Sequence, residues 1–213
     1  YDSVYVFEGK EDEKSRSFGN IYPPKKDHYV FEGYFEGDMQ IYDKNGTLLK
    51  VPDGTDVYAK WTPEVYQVSF RNNQNTNVQN EEHSYQEVFS PNLPENFYPT
   101  IGYKLIRWEK YSMNANGEAV GEPEKLEPET TMTVDCNSIF KAILEPITYT
   151  VSFDANGGEV KDAELPNTFD KDYSLTTASR YGYTFDGWYT AKNGGTKVTE
   201  DTQMTRAENH TLY

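Results

Sequence analysis

The chain has 213 residues, 15% of them aromatic, with 18 tyrosines, and its 20 basic residues face 35 acidic ones for a net charge of −15. So acidic a surface repels phosphate backbones and anionic lipid, which excludes nucleic acid as a partner and argues against docking on membranes. A lone cysteine, Cys136, excludes an internal disulfide and a zinc or iron–sulfur cluster built on thiolates.

No apolar run reaches the length of a membrane span and no signal-peptide pattern is present, and the abrupt ends suggest a fragment of a longer chain. The Tyr-rich, Leu-poor composition favours strands, because flat rings pack well on a half-buried pleated surface. It is also too aromatic for disorder.

In chain order, Val4-Tyr-Val-Phe7 predicts a strand, followed by a charged loop from Lys10 to Arg16 that ends near Phe18-Gly19. Pro23-Pro24 forbids a regular element at that point. A second strand is expected in His28-Tyr-Val-Phe-Glu-Gly-Tyr-Phe35, a hairpin turn at Asn45-Gly46, and a closing strand in Val57-Tyr-Ala-Lys-Trp61. Thr62-Pro63-Glu64 reads as a joint. Beyond it Tyr66, Val68 and Phe70 alternate onto one face. The Asn/Gln-rich tract from Asn72 to Glu82 reads as a solvated loop. Then come Gly102-Tyr-Lys-Leu-Ile-Arg-Trp108, a turn at Asn116-Gly117, and an apolar run from Ile139 to Leu144. Glu145-Pro146 forms a second joint, and the pattern restarts at Tyr149.

Superposed aromatic anchors reveal an internal repeat. The opening strand's phenylalanine recurs as Phe7, Phe70 and Phe153. The central pair recurs as Tyr29 and Phe31, Tyr103 and Leu105, Tyr183 and Phe185, and a second ring follows at Tyr34, Trp108 and Trp188. Asn-Gly turns come next, at Asn45-Gly46, Asn116-Gly117 and Asn193-Gly194. The spacing is uneven, so the expectation is three small domains (residues 1–62, 63–146 and 147–213) rather than interlocked coils of a solenoid. Strict alternation would point Trp188 away from Phe185; a bulge at Gly33 and Gly187 would return the ring to the core, while Arg107 holds that place in the middle unit. Each joint is short and carries a proline, which predicts a semi-rigid rod.

The residues Tyr149-Thr-Val-Ser-Phe-Asp-Ala-Asn-Gly-Gly158, Gly182-Tyr-Thr-Phe-Asp-Gly-Trp-Tyr-Thr190 and Lys192-Asn-Gly-Gly-Thr-Lys-Val198 resemble the Listeria–Bacteroides repeat, also called the internalin B-repeat. Thr211-Leu-Tyr213 is similar to the start of its closing Leu-Tyr-Ala-Lys-Trp strand, which Val57–Trp61 shows complete. The resemblance is strong over the last unit, fair over residues 28–61 and weak in the middle. It implies a small β-grasp-like fold on secreted or surface-attached bacterial proteins, with repeats in tandem between a ligand-binding region and an envelope anchor. It supplies no catalytic residues.

Chemistry beyond the fold is sparse. His28, His83 and His210 lie in different units without an i, i+4 partner, so a zinc site would need them to converge across domains. Cys136 has no histidine near it in sequence, as a catalytic thiol would require, and reads as a small residue before the closing strand. Asp43-Lys-Asn45-Gly46 and Asp154-Ala-Asn156-Gly157 lack the further carboxylates of a calcium loop and are explained by turn chemistry. Asp170 and Asp172, flanking Lys171, read as solvated rather than as an acid/base pair. Tyr22, Tyr42, Tyr98, Tyr111 and Tyr189 exceed what small cores can bury; cross-strand packing explains them, with stacking on a sugar or protein partner as the sharper reading.

The sequence therefore predicts a mostly β chain (α+β at most) of tandem β-grasp-like repeats forming an elongated rod, monomeric, on the bacterial surface or outside the cell. No catalytic, cofactor or metal site is expected, and the chain is not expected to be an enzyme. Two alternatives stay open: an adhesin-type module for a host or bacterial surface protein or a glycan, most plausibly through the middle unit, and an accessory region of a hydrolase.

Overall fold

The structure is a computed structural model that describes residues 3–4, 19–54, 56–72, 74–94, 97 and 101–213. Eighteen strands and no helix occur among the described residues, so the chain is all-β. The expected charged loop from Lys10 to Arg16 and the anchor Phe7 lie outside the described residues, as does Tyr98.

The N-terminal segment contributes β1 (Ser3–Val4), β2 (Tyr29–Glu36), β3 (Met39–Tyr42) and β4 (Val57–Pro63), in the sheet order β1-β4-β2-β3. The middle segment has β5 (Val65–Arg71), β6 (Asn77–Ser84), β7 (Val88–Phe89), β8 (Tyr103–Met113), β9 (Ala119–Leu126), β10 (Met132–Thr133) and β11 (Ser138–Pro146). Five of these form one sheet, β6-β5-β11-β8-β9, and β7 pairs with β10. The C-terminal segment has β12 (Thr148–Phe153), β13 (Glu159–Val160), β14 (Glu164–Thr168), β15 (Ala178–Ser179), β16 (Trp188–Tyr189), β17 (Lys197–Val198) and β18 (His210–Leu212). Its main sheet runs β14-β12-β18, and β13/β15 and β16/β17 are two-stranded ribbons.

Each segment has its own core. Phe31, Tyr34, Ile41, Tyr42 and Val57 form the first, around Phe31 and Tyr34 at a centroid distance of 5.1 Å. Val68, Phe70, Trp108 and Phe140 centre the second, and Val151, Phe153, Trp188, Met204 and Leu212 the third. The period-two pattern explains how β11 fills its core: Phe140, Ala142 and Leu144 all point to one face. In both later segments the opening and closing strands pair in parallel, β5 with β11 and β12 with β18. Such pairing needs a long crossover, so no local turn signal announces it.

The bulge expected at Gly33 is present. Phe31 faces Trp61 and Gly33 faces Lys60, which leaves Glu32 as the extra residue. The middle segment repeats the device without glycine: Leu105 faces Leu144 and Arg107 faces Ile143, with Ile106 extra. Gly33 and Gly187 share a φ of 138°, whereas Arg107 keeps a negative φ. An extra residue rephases the alternation. Tyr34 and Trp108 consequently reach their cores, 3% and 0% exposed; the strand and bulge expected at residues 182–189 are not formed, since only Trp188–Tyr189 is a strand there, and Trp188 is 2% exposed without a bulge before it.

Two expectations need correction. The tract from Asn72 to Glu82 is a loop only at its start; β6 begins at Asn77 and pairs with β5 along its length. Backbone hydrogen bonds form a ladder whatever the side chains are, and a charged, polar strand suits a sheet edge, where it discourages pairing with other chains. The Asn-Gly turns are also longer than two-residue hairpins. Gly46 N donates to Asp43 O and Asp43 N to Thr47 O, and Gly117, Asn114 and Glu118 repeat that pattern.

Candidate functional site

The segments meet at two junctions, and both are built from the same parts. A tyrosine opens each central strand, Tyr29 in β2 and Tyr103 in β8, and the residue before it is left-handed: His28 at φ 66° and Gly102 at φ 80°. A proline ends the neighbouring strand opposite that tyrosine, Pro63 facing Tyr29 and Pro146 facing Tyr103. Proline lacks an N–H, so the next residue carries the hydrogen bonding. Glu64 N donates to His28 O at 2.8 Å, and Ile147 N donates to Gly102 O at 2.8 Å. The same two residues then accept from the following segment, Tyr85 N to Glu64 O at 2.8 Å and Phe169 N to Ile147 O at 2.9 Å.

The donors Tyr85 and Phe169 also supply the rings. Tyr85 stacks on the His28 imidazole at 4.3 Å and 9°, with its edge toward Tyr29 at 5.6 Å and 79°. Phe169 meets Tyr103 at 5.6 Å and 78°, and lies so close over Gly102 that a Cβ there would clash with its ring carbons. Each ring is set by a tight turn whose next residue is left-handed, Gln86 at φ 62° and Asp170 at φ 63°. A side-chain bond completes each junction. His28 Nδ1 lies 2.7 Å from the Tyr66 hydroxyl, which donates to Glu64 Oε2 at 2.7 Å, and Tyr103 donates to Asp170 Oδ2 at 2.7 Å. Burial, together with the neighbouring Glu64 carboxylate, pushes the Tyr66 phenol up to about 12, so it keeps its proton and remains a donor.

Beside the first junction lies an open groove of about 520 Å³, where Tyr29, Trp61 and Tyr66 stand next to Lys25, Lys26 and Glu64. Ring faces and hydrogen-bonding groups thus share one concave surface.

The histidines do not converge. His28 belongs to the first junction, His83 lies between Glu81 and Glu87, and His210 is buried against Tyr173. His210 Nδ1 lies 2.9 Å from the Glu208 carbonyl and its Nε2 lies 2.9 Å from the Tyr173 hydroxyl. Cys136 is half-buried; burial and the adjacent Asp135 raise its thiol, which disfavours the thiolate that nucleophilic chemistry needs. Asp43 Oδ1 accepts from the amides of Asn45 and Thr47, and Asp154 Oδ1 from that of Asn156, with Lys192 on its other oxygen at 3.3 Å. Those carboxylates shape turns. Asp170 is a junction residue, and Asp172 pairs through its backbone with Gln203.

Among the tyrosines, Tyr42 is a core residue at 1% exposure, edge-on to Tyr34 at 6.2 Å, because β3 turns it inward. Tyr22 is fully exposed, and Tyr111 and Tyr189 are half-buried with their hydroxyls on Glu109 and Asp186. Sequence reasoning found Tyr29 and Tyr103 but missed Tyr85 and Phe169. A signal was available: an aromatic residue before Gln86 or Asp170, two types that tolerate a tight turn, at the end of each segment's second long strand.

The chain is similar to several known proteins. A protein of Evansella cellulosilytica whose description names a membrane protein is 29% identical over 172 residues, 78% of this chain and 23% of that protein. Another from the same organism, described as a Gly-rich membrane protein, is 28% identical over 175 residues, 80% of this chain and 18% of its own length. Internalin H of Listeria monocytogenes is 40% identical over 73 residues, 33% of this chain and 13% of internalin H. The chain thus spans less than a quarter of the length of each of these relatives. Residues 149–213, the C-terminal segment, match the family model of the Listeria-Bacteroides repeat domain.

Proposed function

We propose that the chain is a non-catalytic stretch of three tandem β-repeats, residues 1–62, 63–146 and 147–213, in a bacterial surface or secreted protein. It works as a semi-rigid spacer that carries a functional region away from the cell and offers a repeated surface for interaction. The observation that carries this reading is the recurrence of one junction: a backbone bridge of two hydrogen bonds and a ring on a left-handed residue, in closely matching geometry at both joints. A loose linker would have no use for such a construction. The match of residues 149–213 to the repeat family and the similarity of 73 residues to internalin H support the surface location.

Small-angle scattering tests the spacer. A compact chain of this length has a radius of gyration of roughly 17 Å, and a value near that would sink the reading. An elongated particle well above it is expected. Incubating the purified chain with common glycans and peptides should produce no turnover; turnover lost on changing Cys136 or a single carboxylate would overturn the non-catalytic assignment.

A second reading, an adhesin-type module, is favoured by one feature, the groove beside Tyr29, Trp61 and Tyr66. Rings flanked by charged groups suit the apolar faces and hydroxyls of a sugar. Saturable binding on a glycan array that Trp61→Ala abolishes would support it, and an array with no saturable binding would remove it.

A further inference from the structure

Four Asn-Gly pairs occur in the chain, Asn45-Gly46, Asn116-Gly117, Asn156-Gly157 and Asn193-Gly194. In such a pair the backbone can attack the asparagine side chain, because a glycine without Cβ leaves its nitrogen uncrowded. The attack needs the peptide unit between the two residues to turn until the glycine nitrogen meets the asparagine Cγ. A hydrogen bond on that unit, at the Asn carbonyl or the Gly N–H, opposes the turn.

Three of the four units are tied in this way. Gly46 N donates to Asp43 O at 2.9 Å, and Gly117 N donates to Asn114 O at 3.0 Å. Gly46 is also packed so closely that a Cβ on it would collide with the Ile21 carbonyl. The Asn156 carbonyl accepts from Arg180 Nη1 at 2.8 Å, and Asn156 is held left-handed at φ 49° with its N–H on Asp154 Oδ1. At Asn193-Gly194 neither the Asn carbonyl nor the Gly N–H is hydrogen-bonded among the described residues. Both residues are exposed, at the tip of the loop between β16 and β17. The loop is closed beneath them, Thr190 N donating to Thr196 O at 3.0 Å and Thr196 N to Thr190 Oγ1 at 2.9 Å. The closing strand is already beside this ribbon, where Tyr213 exchanges two backbone hydrogen bonds with Tyr189, and it leaves the loop uncovered.

We propose that Asn193 is a site of spontaneous covalent modification, converted to aspartate and isoaspartate through a cyclic imide with Gly194. In the first step the Gly194 nitrogen gives its proton to solvent base and attacks Asn193 Cγ. The new N–Cγ bond forms, the bond from Cγ to the side-chain nitrogen breaks, and that nitrogen takes up a proton and leaves as ammonia. In the second step one water opens the imide. Cleavage at Cγ gives aspartate, and cleavage at the main-chain carbonyl gives isoaspartate. One water is consumed, one ammonia is released, and nothing is oxidised or reduced. The loop lies outside the third core, so the product keeps the fold and gains one negative charge beside Lys192, which already pairs with Asp154 at 3.3 Å. The inference does not depend on reading the chain as a spacer.

Incubating the full chain in mildly alkaline buffer and mapping its peptides by mass spectrometry tests the site. One hydrogen bond on the peptide unit should suppress ring closure by about tenfold. Asn193 should therefore convert faster than Asn45, Asn116 and Asn156 by at least that factor, and in denaturant the four rates should draw together. Conversion of Asn193 should speed up as pH rises, since it starts from a deprotonated nitrogen, and should yield a more acidic species on ion exchange. Gly194→Ala should slow it by crowding the nitrogen. Arg180→Gln should release the Asn156 unit, raising conversion of Asn156 several-fold and leaving Asn193 unchanged. Conversion of Asn193 no faster than that of the tied three in the folded chain overturns the proposal. The same ranking persisting in denaturant also overturns it, by assigning the difference to neighbours in sequence. An Asn156 that stays slow in Arg180→Gln defeats the rule by which Asn193 is singled out.

Discussion

His83 shows how one side chain can brace a junction from a distance. Its two ring nitrogens lie 3.0 Å from Glu81 and 3.0 Å from Glu87. Carboxylates only accept, so both nitrogens donate and the ring is an imidazolium. Burial pulls His83 downward, but its bonds to Glu87 and Glu81 outweigh that and raise it above its ordinary 6.5. Glu87 is held below its ordinary 4.5 by His83 and by the Ser84 amide. Glu87 also closes the turn that presents Tyr85. The signs follow directly. His83 is raised on folding, so its contribution is complete below 6.5 and is lost as pH rises through the raised value. Glu87 is lowered, so its contribution is complete above 4.5 and is lost as pH falls through the lowered value. Thermal stability should therefore decline as pH rises past 6.5, and His83→Gln should flatten that decline. Equal pH profiles for the two proteins would remove His83 from the account.

The buried tryptophans make a second prediction at this scale. Trp188 Nε1 donates to the Thr176 carbonyl at 2.7 Å, whereas Trp108 Nε1 has no partner among the described residues. Trp188→Phe strands a buried acceptor, which costs about 1–3 kcal/mol beyond the lost volume. Trp108→Phe loses volume only. Amide exchange in the two cores should rank them in that order, and a larger effect at Trp108 would contradict it.

Among the elements, the junction ties each sheet to the next segment. Two backbone hydrogen bonds and an aromatic pair worth about 0.5–1.5 kcal/mol hold each joint, while the proline on the neighbouring strand limits its torsional freedom. Gly102 is the position least able to change. Its left-handed φ strains any other L-residue, and a Cβ there would collide with Phe169. Gly102→Ala should weaken the second junction by more than about 1 kcal/mol, read as faster exchange of the Ile147 and Phe169 amides. The three cores should keep their protection. Unchanged exchange at both amides would show that the ring does not hold the joint.

For the whole molecule, three separate cores mean that the stiffness the proposed spacer needs would have to reside in the joints. The double variant Tyr85→Ala, Phe169→Ala should leave the cores folded and broaden the distance distribution seen by scattering. A distribution identical to that of the parent chain would transfer the stiffness from the rings to the backbone bridges. Repulsion within a chain of net charge −15 also favours extension. Added salt should therefore shorten the double variant more than the parent, because only the variant's joints are free to respond to screening.

The sequence by itself determined most strand anchors, the bulge at Gly33 and the closing strand at Val57. These rest on local signals: period-two alternation, glycine at a strained φ, and turns that Asp43 and Asn114 cap through their own side chains. Only the tertiary structure decided three further points. One is that β6 is a strand, since an edge is defined by its neighbour. Another is that β5 and β12 pair in parallel with strands far along the chain. The last is that His28 and Gly102 are left-handed seats covered by Tyr85 and Phe169. Superposed tyrosines align the two positions, but the seat lies in backbone conformation and in what covers it, and imidazole and glycine share only their tolerance of a left-handed φ before a tyrosine.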